Sequence, residues 1–128
     1  MQTQTAALTA TGQDKYNSTT MRVRRLNDEF RRKLIDVTGR NKVILTDGVV
    51  ALGEESFNTL IMEVRTFEDF NGANDPYGEH DFGRIDFKGE KYFFKIDYYD
   101  NSLKLHSADK SNPDLTRRVL TIMRADEY

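Results

Sequence analysis

The sequence contains no cysteine, so the chain can form neither disulfides nor thiolate metal sites and has no cysteine nucleophile. A chain without cysteine fits a reducing compartment, and we expect a cytoplasmic protein. No stretch approaches the roughly 20 apolar residues that span a bilayer, and the first residues lack the basic start and apolar run of a secretory leader. We therefore expect no membrane partner.

The sequence also lacks a strong net charge, because 19 basic residues oppose 21 acidic ones and leave −2. An overall bias toward nucleic acid or an anionic membrane is therefore not expected. Locally the charges separate, since residues 21–40 hold seven basic and three acidic side chains, whereas residues 41–82 hold two basic and nine acidic ones. This distribution predicts a basic helix beside an acidic middle segment.

Length and composition indicate one compact domain, because 128 residues with 38% apolar side chains can bury a substantial core. Residues 1–16 are rich in Thr, Gln and Ala and show no periodicity, so we expect a flexible lead-in there. Residues 17–128 are predicted to form a single α+β domain, in which a small antiparallel sheet of about three to five strands packs with about three helices.

Three segments carry helix signals. Apolar residues recur at steps of three and four over residues 23–37, which predicts an amphipathic helix that ends at Gly39. A second helix is predicted over residues 53–67, where early acids complement the helix dipole. A last helix is predicted over residues 112–123, with Pro113 as its first residue.

Short apolar runs and alternating patterns predict the strands. Asp47-Gly48 is a strong turn signal after the first of them and indicates a hairpin into residues 49–52. The predicted strands are residues 42–46, 84–88 and 91–99, with a continuation of the buried face at Leu103 and Leu105.

The loop from Asn74 to Gly83 concentrates the residues that suggest chemistry, because it holds three carboxylates and one of the two histidines. An Asp-Pro pair and two glycines set turns there, so the polar side chains are presented by a loop. In the structural interpretation they tie these turns together, and His80 packs between Tyr77 and Phe82. The polar residues concerned are Asp75, Glu79, His80 and Asp81.

The same residues carry a family resemblance. The strings Asn74–Gly83 (NDPYGEHDFG) and Lys95–Asp100 (KIDYYD), within a segment from Leu26 to Tyr128, resemble a bacterial domain-of-unknown-function family of small proteins carried on plasmids and other mobile elements. The resemblance implies a mobile-element context, in which small accessory proteins bind host or defence components. It implies no mechanism.

A metal site is one functional interpretation of the loop. Carboxylate and imidazole ligands suit Mg²⁺ or Mn²⁺, and a metal-dependent hydrolase or nuclease would use such a cluster to position water and a phosphate. The spacing matches no defined metal motif, so we expect no cofactor. The candidate ligands are Asp75, Glu79, His80, Asp81 and Asp97, with Asp100 and His106 as further candidates.

His80 could alternatively act as a general base oriented by Glu79 or Asp97. The sequence contains neither a nucleophile-elbow motif nor a glycine loop that could cradle a phosphate. A non-enzymatic protein is therefore favoured over an enzyme, and no catalytic residue is assigned.

Several residues are candidates for binding a macromolecule. Arg22 and Arg25 are predicted to lie on the exposed side of the first helix, where they could contact nucleic-acid phosphates. Tyr99 is expected near the acidic loop, where it would anchor a protein partner, and Tyr77 is a further candidate. The acidic segment could alternatively occupy a basic cleft that normally holds nucleic acid.

The favoured function is a non-enzymatic cytoplasmic accessory protein of a mobile element or phage. It would bind a protein partner and inhibit a host defence system, as anti-CRISPR or anti-restriction proteins do. The alternatives are a metal-dependent hydrolase or nuclease that uses the acidic loop, and a nucleic-acid-binding regulator.

Overall fold

The structure is a computed structural model that describes residues 16–128. Apart from Tyr16, the predicted lead-in lies outside the described residues. In chain order the elements are α1 (Ser18–Lys33), β1 (Lys42–Leu45), α2 (Asp47–Val50), α3 (Glu54–Arg65), β2 (Phe82–Phe87), β3 (Glu90–Tyr99), β4 (Arg117–Arg124) and a closing 3-10 turn, Ala125–Glu127.

The four strands form one sheet in the order β1-β4-β3-β2. The last three strands along the chain are antiparallel neighbours, and Phe94 of β3 lies opposite Gly83 of β2 and Ile122 of β4. β1 joins the free edge of β4 in parallel, with Lys42 opposite Val119. The α+β class is therefore confirmed, and the parallel pair makes the sheet mixed rather than purely antiparallel.

The main core lies between the helices and one face of the sheet. Strand residues alternate between the two faces, so the even-numbered residues of β3 and β4 all face the helices. Burial of each such aliphatic or aromatic side chain contributes about 1.5–3 kcal/mol. The buried core residues from helices and sheet include Phe30, Leu60, Val64, Phe94, Ile96, Leu120 and Ile122.

The predicted last helix is wrong, because residues 117–124 form β4. Both faces of this strand carry buried side chains, since Leu120 and Ile122 pack in the main core while Val119 and Met123 are buried among their neighbours on the other side. A strand buried on both faces shows a nearly continuous apolar run, which periodicity does not separate from a short helix.

The predicted hairpin after β1 is also wrong, because residues 47–50 form the short helix α2. Two groups near its start bind one carboxylate: Glu127 Oε2 accepts the N–H of Gly48 at 2.8 Å, and Glu127 Oε1 accepts the Thr46 hydroxyl at 2.6 Å. The sequence pattern around Gly48 gave no sign of this distant partner.

At the end of α1 and after β3, the apolar faces predicted from the sequence continue beyond the ends of the observed elements. α1 ends at Lys33, where Leu34 adopts a left-handed conformation with φ of 56°, and Val37 beyond it is exposed. Leu105 does not continue a strand and is 69% exposed. The predicted second helix is confirmed at Glu54–Arg65.

Candidate functional site

Asp75 organises the loop that follows α3. Its side chain is buried, and its Oδ1 accepts the backbone N–H groups of Glu79 at 3.0 Å and of His80 at 3.1 Å. Gly78 has φ of +74° and packs so tightly against the Tyr16 ring that a Cβ there would lie 2.6 Å from it. Hydrogen bonds and close packing therefore hold the backbone of this loop.

His80 lies between two carboxylates and against one aromatic ring. Its Nδ1 is 2.9 Å from Asp28 Oδ1, and its Nε2 is 3.6 Å from Asp75 Oδ2. The imidazole stacks on Phe70 with 3.8 Å between ring centroids. The predicted packing of His80 between Tyr77 and Phe82 is therefore wrong, and the carboxylates that orient it are not those of Glu79 or Asp97.

Arg31 joins the same cluster to the end of α3. Its guanidinium, only 1% exposed, donates to Asp28 Oδ1 at 2.9 Å and to the carbonyl oxygens of Val64 and Phe67 at 3.1 and 3.0 Å. Burial alone would raise the pKa of Asp28, but the hydrogen bonds from His80 and Arg31 outweigh burial and hold that pKa below its ordinary value. Asp28 is thus a carboxylate anchored between a helix and the loop.

A second polar cluster joins the loop to the sheet through Tyr98. The Tyr98 hydroxyl donates to Asp81 Oδ2 at 2.9 Å and accepts from Asn27 Nδ2 at 2.8 Å. Arg118 Nε in turn donates to Asn27 Oδ1 at 2.7 Å. Burial raises the pKa of Asp81, the charges of Glu79 and Asp75 raise it further, and the hydrogen bond from Tyr98 opposes them.

The two polar clusters together form what we call the polar joint, which connects α1, the loop and the sheet. Its buried residues from α1 and β4 were missed by sequence reasoning. A signal was present in α1, because Asn27 and Arg31 follow the buried Val23 at steps of four and so share its face. The members of the polar joint are Asn27, Asp28, Arg31, Asp75, His80, Asp81, Tyr98 and Arg118.

Glu79 completes the loop through an ion pair. Lys110 Nζ lies 2.9 Å from its Oε1 and 2.7 Å from its Oε2, while the Glu79 carbonyl oxygen accepts from Asn27 Nδ2 at 2.9 Å. The Lys110 ammonium also lies 5.1 Å from the centroid of the Tyr98 ring. The Glu79 carboxylate therefore has Lys110 as its cationic partner.

The predicted convergence of metal ligands is not formed. Because residues alternate along β3, Asp97 lies on the opposite face of the sheet from Tyr98 and pairs with Lys95 at 3.0 Å. His106 stacks on Tyr99, with 6.4 Å between ring centroids. Within residues 16–128 no three or more His, Asp or Glu side chains are grouped so that they could hold a metal ion.

The exposed part of the loop is its tip. Tyr77 is 76% exposed and follows the exposed Pro76, whereas the residues on either side, Asp75 and Gly78, are buried. Beside the tip lies a cleft of about 460 Å³. The cleft is lined by Tyr16, Asn17, Thr20, Pro76, Tyr77, Glu79 and Lys110.

The other predicted binding residues lie on separate surfaces. Arg22 and Arg25 are exposed on α1, as expected from the sequence, but Arg24 points to the loop and donates to the Gly78 carbonyl at 2.7 Å. Tyr99 is not beside the loop, because it faces the opposite side of the sheet from Tyr98. Its predicted role as a loop-side anchor does not fit this position.

The acidic middle segment does not form one patch around α3. Glu54 and Glu55 lie in the first turn of this helix, and Glu68 and Asp69 follow its end. The helix has twelve residues and is about 18 Å long, so the two pairs lie at its opposite ends. A continuous acidic surface of the kind that fills a basic cleft is therefore not built from these four residues.

Comparison with known proteins places the chain in a family. No helix within residues 16–128 is both long and apolar enough to cross a membrane. No curated protein and no solved structure matches the chain. A family model described as a protein of unknown function (DUF3768) matches residues 45–127, from the end of β1 to the closing turn, and the chain belongs to this family.

Proposed function

We propose that the protein is a non-enzymatic binding protein that presents Tyr77 to a protein partner. The observation that carries this proposal is the contrast at the loop tip, where Pro76 and the 76% exposed Tyr77 lie between the buried, hydrogen-bonded residues Asp75 and Gly78. Tyrosine is enriched among the residues that dominate protein interfaces. A loop whose backbone is already held in place loses less conformational entropy on binding.

The backbone around Tyr77 is fixed from three directions. Arg24 holds the Gly78 carbonyl, Asp75 holds the two N–H groups that follow, and Asn27 holds the Glu79 carbonyl. All three side chains are themselves half-buried or buried. This support favours a preorganised anchor rather than a loop that folds only on binding.

The cleft beside the tip gives the proposed partner a second contact. Pro76 and the Tyr77 ring supply apolar surface, and the Lys110–Glu79 ion pair supplies charge to the lining of the same cleft. A mixed surface of this kind suits a partner segment with one apolar side chain and a polar rim.

The partner that we propose is a component of a host defence system. This choice rests on the resemblance to small proteins of plasmids and other mobile elements. The resemblance indicates the genetic setting of the protein and identifies no residue that binds the partner. The hydrolase alternative has no observation in its favour, because Asp75, Glu79 and Asp81 each bind a different partner.

Quantitative affinity purification tests the proposal with a matched pair of variants. Tyr77→Ala and Tyr128→Ala each remove a tyrosine that is 76% exposed, on different surfaces. The bait is expressed in cells that naturally carry its gene, and proteins that co-purify with the wild type are identified. We expect the partner to be lost with Tyr77→Ala and retained with Tyr128→Ala. The interaction is then reconstituted with purified components and its Kd measured, and an interface hot spot predicts a loss of more than about 2 kcal/mol.

Equal retention of every co-purifying protein by the two variants would remove Tyr77 from the interface. A partner lost only with Tyr128→Ala would instead place protein binding on the sheet.

A further inference from the structure

The sheet has a second face that the helices do not cover, and we call it the open sheet face. It consists of the even-numbered residues of β1 and β2 and the odd-numbered residues of β3 and β4, which the strand register places on one side. Within the described chain the Tyr128 ring packs on it, 5.6 Å from the ring of Phe93 and 6.4 Å from that of Phe82. At its other end His106 stacks on Tyr99, and Arg117 donates to the carbonyl oxygens of residues 39 and 40. Ile44 at its edge is 49% exposed.

The open sheet face is basic although the whole chain is acidic. Its two acids are each neutralised on the same face, Asp86 by Arg84 at 3.1 Å and Asp97 by Lys95 at 3.0 Å. Lys42 and Lys91 are exposed and form no ion pair with any residue in 16–128. The face therefore complements a polyanion. Its basic residues are Lys42, Arg84, Lys91, Lys95 and Arg117.

Aromatic side chains are interleaved with these cations. Phe82, Phe93 and Tyr99 lie on the face half-buried, and Tyr128 adds an exposed ring over two of them. Phe93 and Tyr99 are six residues apart on β3, a span of about 20 Å. Four-stranded sheets that bind single-stranded RNA stack two or three bases on aromatic residues of one open face.

We propose that the open sheet face binds single-stranded nucleic acid. Lys42, Arg84 and Lys91 contact phosphates, and Tyr99 and Tyr128 stack on bases. A duplex is not the ligand, because its bases are paired and stacked inside and offer no free ring surface to aromatic side chains. This surface is separate from the Tyr77 loop, which lies on the helix side of the sheet.

Fluorescence anisotropy with labelled oligonucleotides of about 12 nucleotides tests the proposal. The probes are single-stranded RNA, single-stranded DNA and the corresponding DNA duplex, each titrated at about 50 and 200 mM salt. The test variant is Lys42→Glu/Lys91→Glu on the open sheet face. Its matched control is Arg25→Glu/Lys33→Glu, which makes the same charge change on exposed positions of α1.

We expect the wild type to bind at least one single strand more tightly than the duplex, with an affinity that falls steeply with salt. The sheet variant should bind more weakly than the wild type. The slope of its log affinity against log salt concentration should be smaller by about one for each lysine replaced. Tyr99→Leu should weaken binding about ten-fold through lost stacking. The α1 variant and Tyr77→Ala should bind as the wild type does, which separates this proposal from protein binding at the loop.

Three results would each overturn the proposal: no single-strand binding at the lower salt, duplex binding as tight as single-strand binding, or a loss with the α1 variant as large as with the sheet variant. The last outcome would place the contact on the basic helix. Circular dichroism of each variant confirms that the fold is intact before binding is compared.

Discussion

The interior of the molecule is built in two contrasting ways. Between α3 and the sheet it is apolar, with Leu60, Val64 and Leu120 fully buried. Between α1, the loop and the sheet it is largely polar, and Arg31 is as well buried as the core leucines. One part of the helix-covered sheet face thus packs against apolar side chains of α3, and another part packs against the polar joint.

The difference shows what each region contributes. Apolar burial stabilises the fold without fixing directions, because the hydrophobic effect scales with area. A buried hydrogen bond contributes only about 0.5–1.5 kcal/mol net, yet leaving one partner unmade costs about 1–3 kcal/mol, so a polar network penalises every arrangement but one. The polar joint therefore fixes the loop that carries Tyr77, while the apolar core supplies most of the stability.

Replacement of Arg31 by Met should be the most damaging single change in this comparison. It leaves Asp28 without its guanidinium partner and two carbonyl oxygens at the end of α3 without donors. Loss of one partner of a buried ion pair costs about 3–5 kcal/mol, which urea unfolding measures. Arg32→Met, the same change at the exposed neighbouring position, should alter the unfolding midpoint little.

The double variant Asp28→Asn/Arg31→Met sharpens this prediction. Removal of the carboxylate that has lost its guanidinium partner should recover part of the loss, because the larger cost is the buried charge rather than the missing bond. A double variant no more stable than Arg31→Met would mean that the backbone contacts of Arg31, and not its pairing with Asp28, account for its importance.

Leu120→Ala measures the apolar side of the comparison. Leu120 is 0% exposed in the middle of the sheet, and such truncations cost about 2–5 kcal/mol through lost burial and the cavity that remains. Leu105→Ala is the matched control at 69% exposure and should stay within about 0.5 kcal/mol of the wild type. A loss with Leu120→Ala well above that with Arg31→Met would reverse the order proposed here.

The apolar region was largely predictable from the sequence. The periodicity of α3 and the alternation in β2 and β3 each bury one face, and those elements are where the sequence pattern predicts them. β4 was not predictable in this way, because Val119 and Met123 are buried on the face opposite to Leu120 and Ile122 and the alternation disappears.

The polar joint was not predictable, because its partners are far apart in the sequence. Asp28 and His80 are 52 residues apart, and Asn27 and Arg118 are 91 apart. The periodicity of a sequence does not indicate which distant residue a buried polar side chain will bond. The turn chemistry of the loop was nevertheless visible in Asp75 and Gly78, whereas the contact between His80 and Phe70 depends on how the chain returns after α3.

The polar joint should also make stability depend on pH in a way that the apolar core does not, although the effect is the smallest predicted here. The folded-state pKa of Asp28 lies below its ordinary value of 3.8. Its contribution is therefore complete above that pH and is lost as the pH falls through the folded-state value. The folded-state pKa of Asp81 lies above 3.8, so its contribution is present below that pH and is lost as the pH rises through the folded-state value.

Urea midpoints between about pH 3 and pH 7 separate the two carboxylates. Asp28→Asn should reduce the loss of stability that occurs as the pH falls below 3.8. Asp81→Asn should reduce the loss that occurs as the pH rises above 3.8, and its amide oxygen can still accept the hydrogen bond from Tyr98. Leu120→Ala should lower the whole curve without changing its shape, because Leu120 belongs to the buried hydrophobic core cluster, which contains neither Asp28 nor Asp81. A change of shape with Leu120→Ala would show that the two regions are coupled, because loss of core packing would then have altered the burial of Asp28 or Asp81.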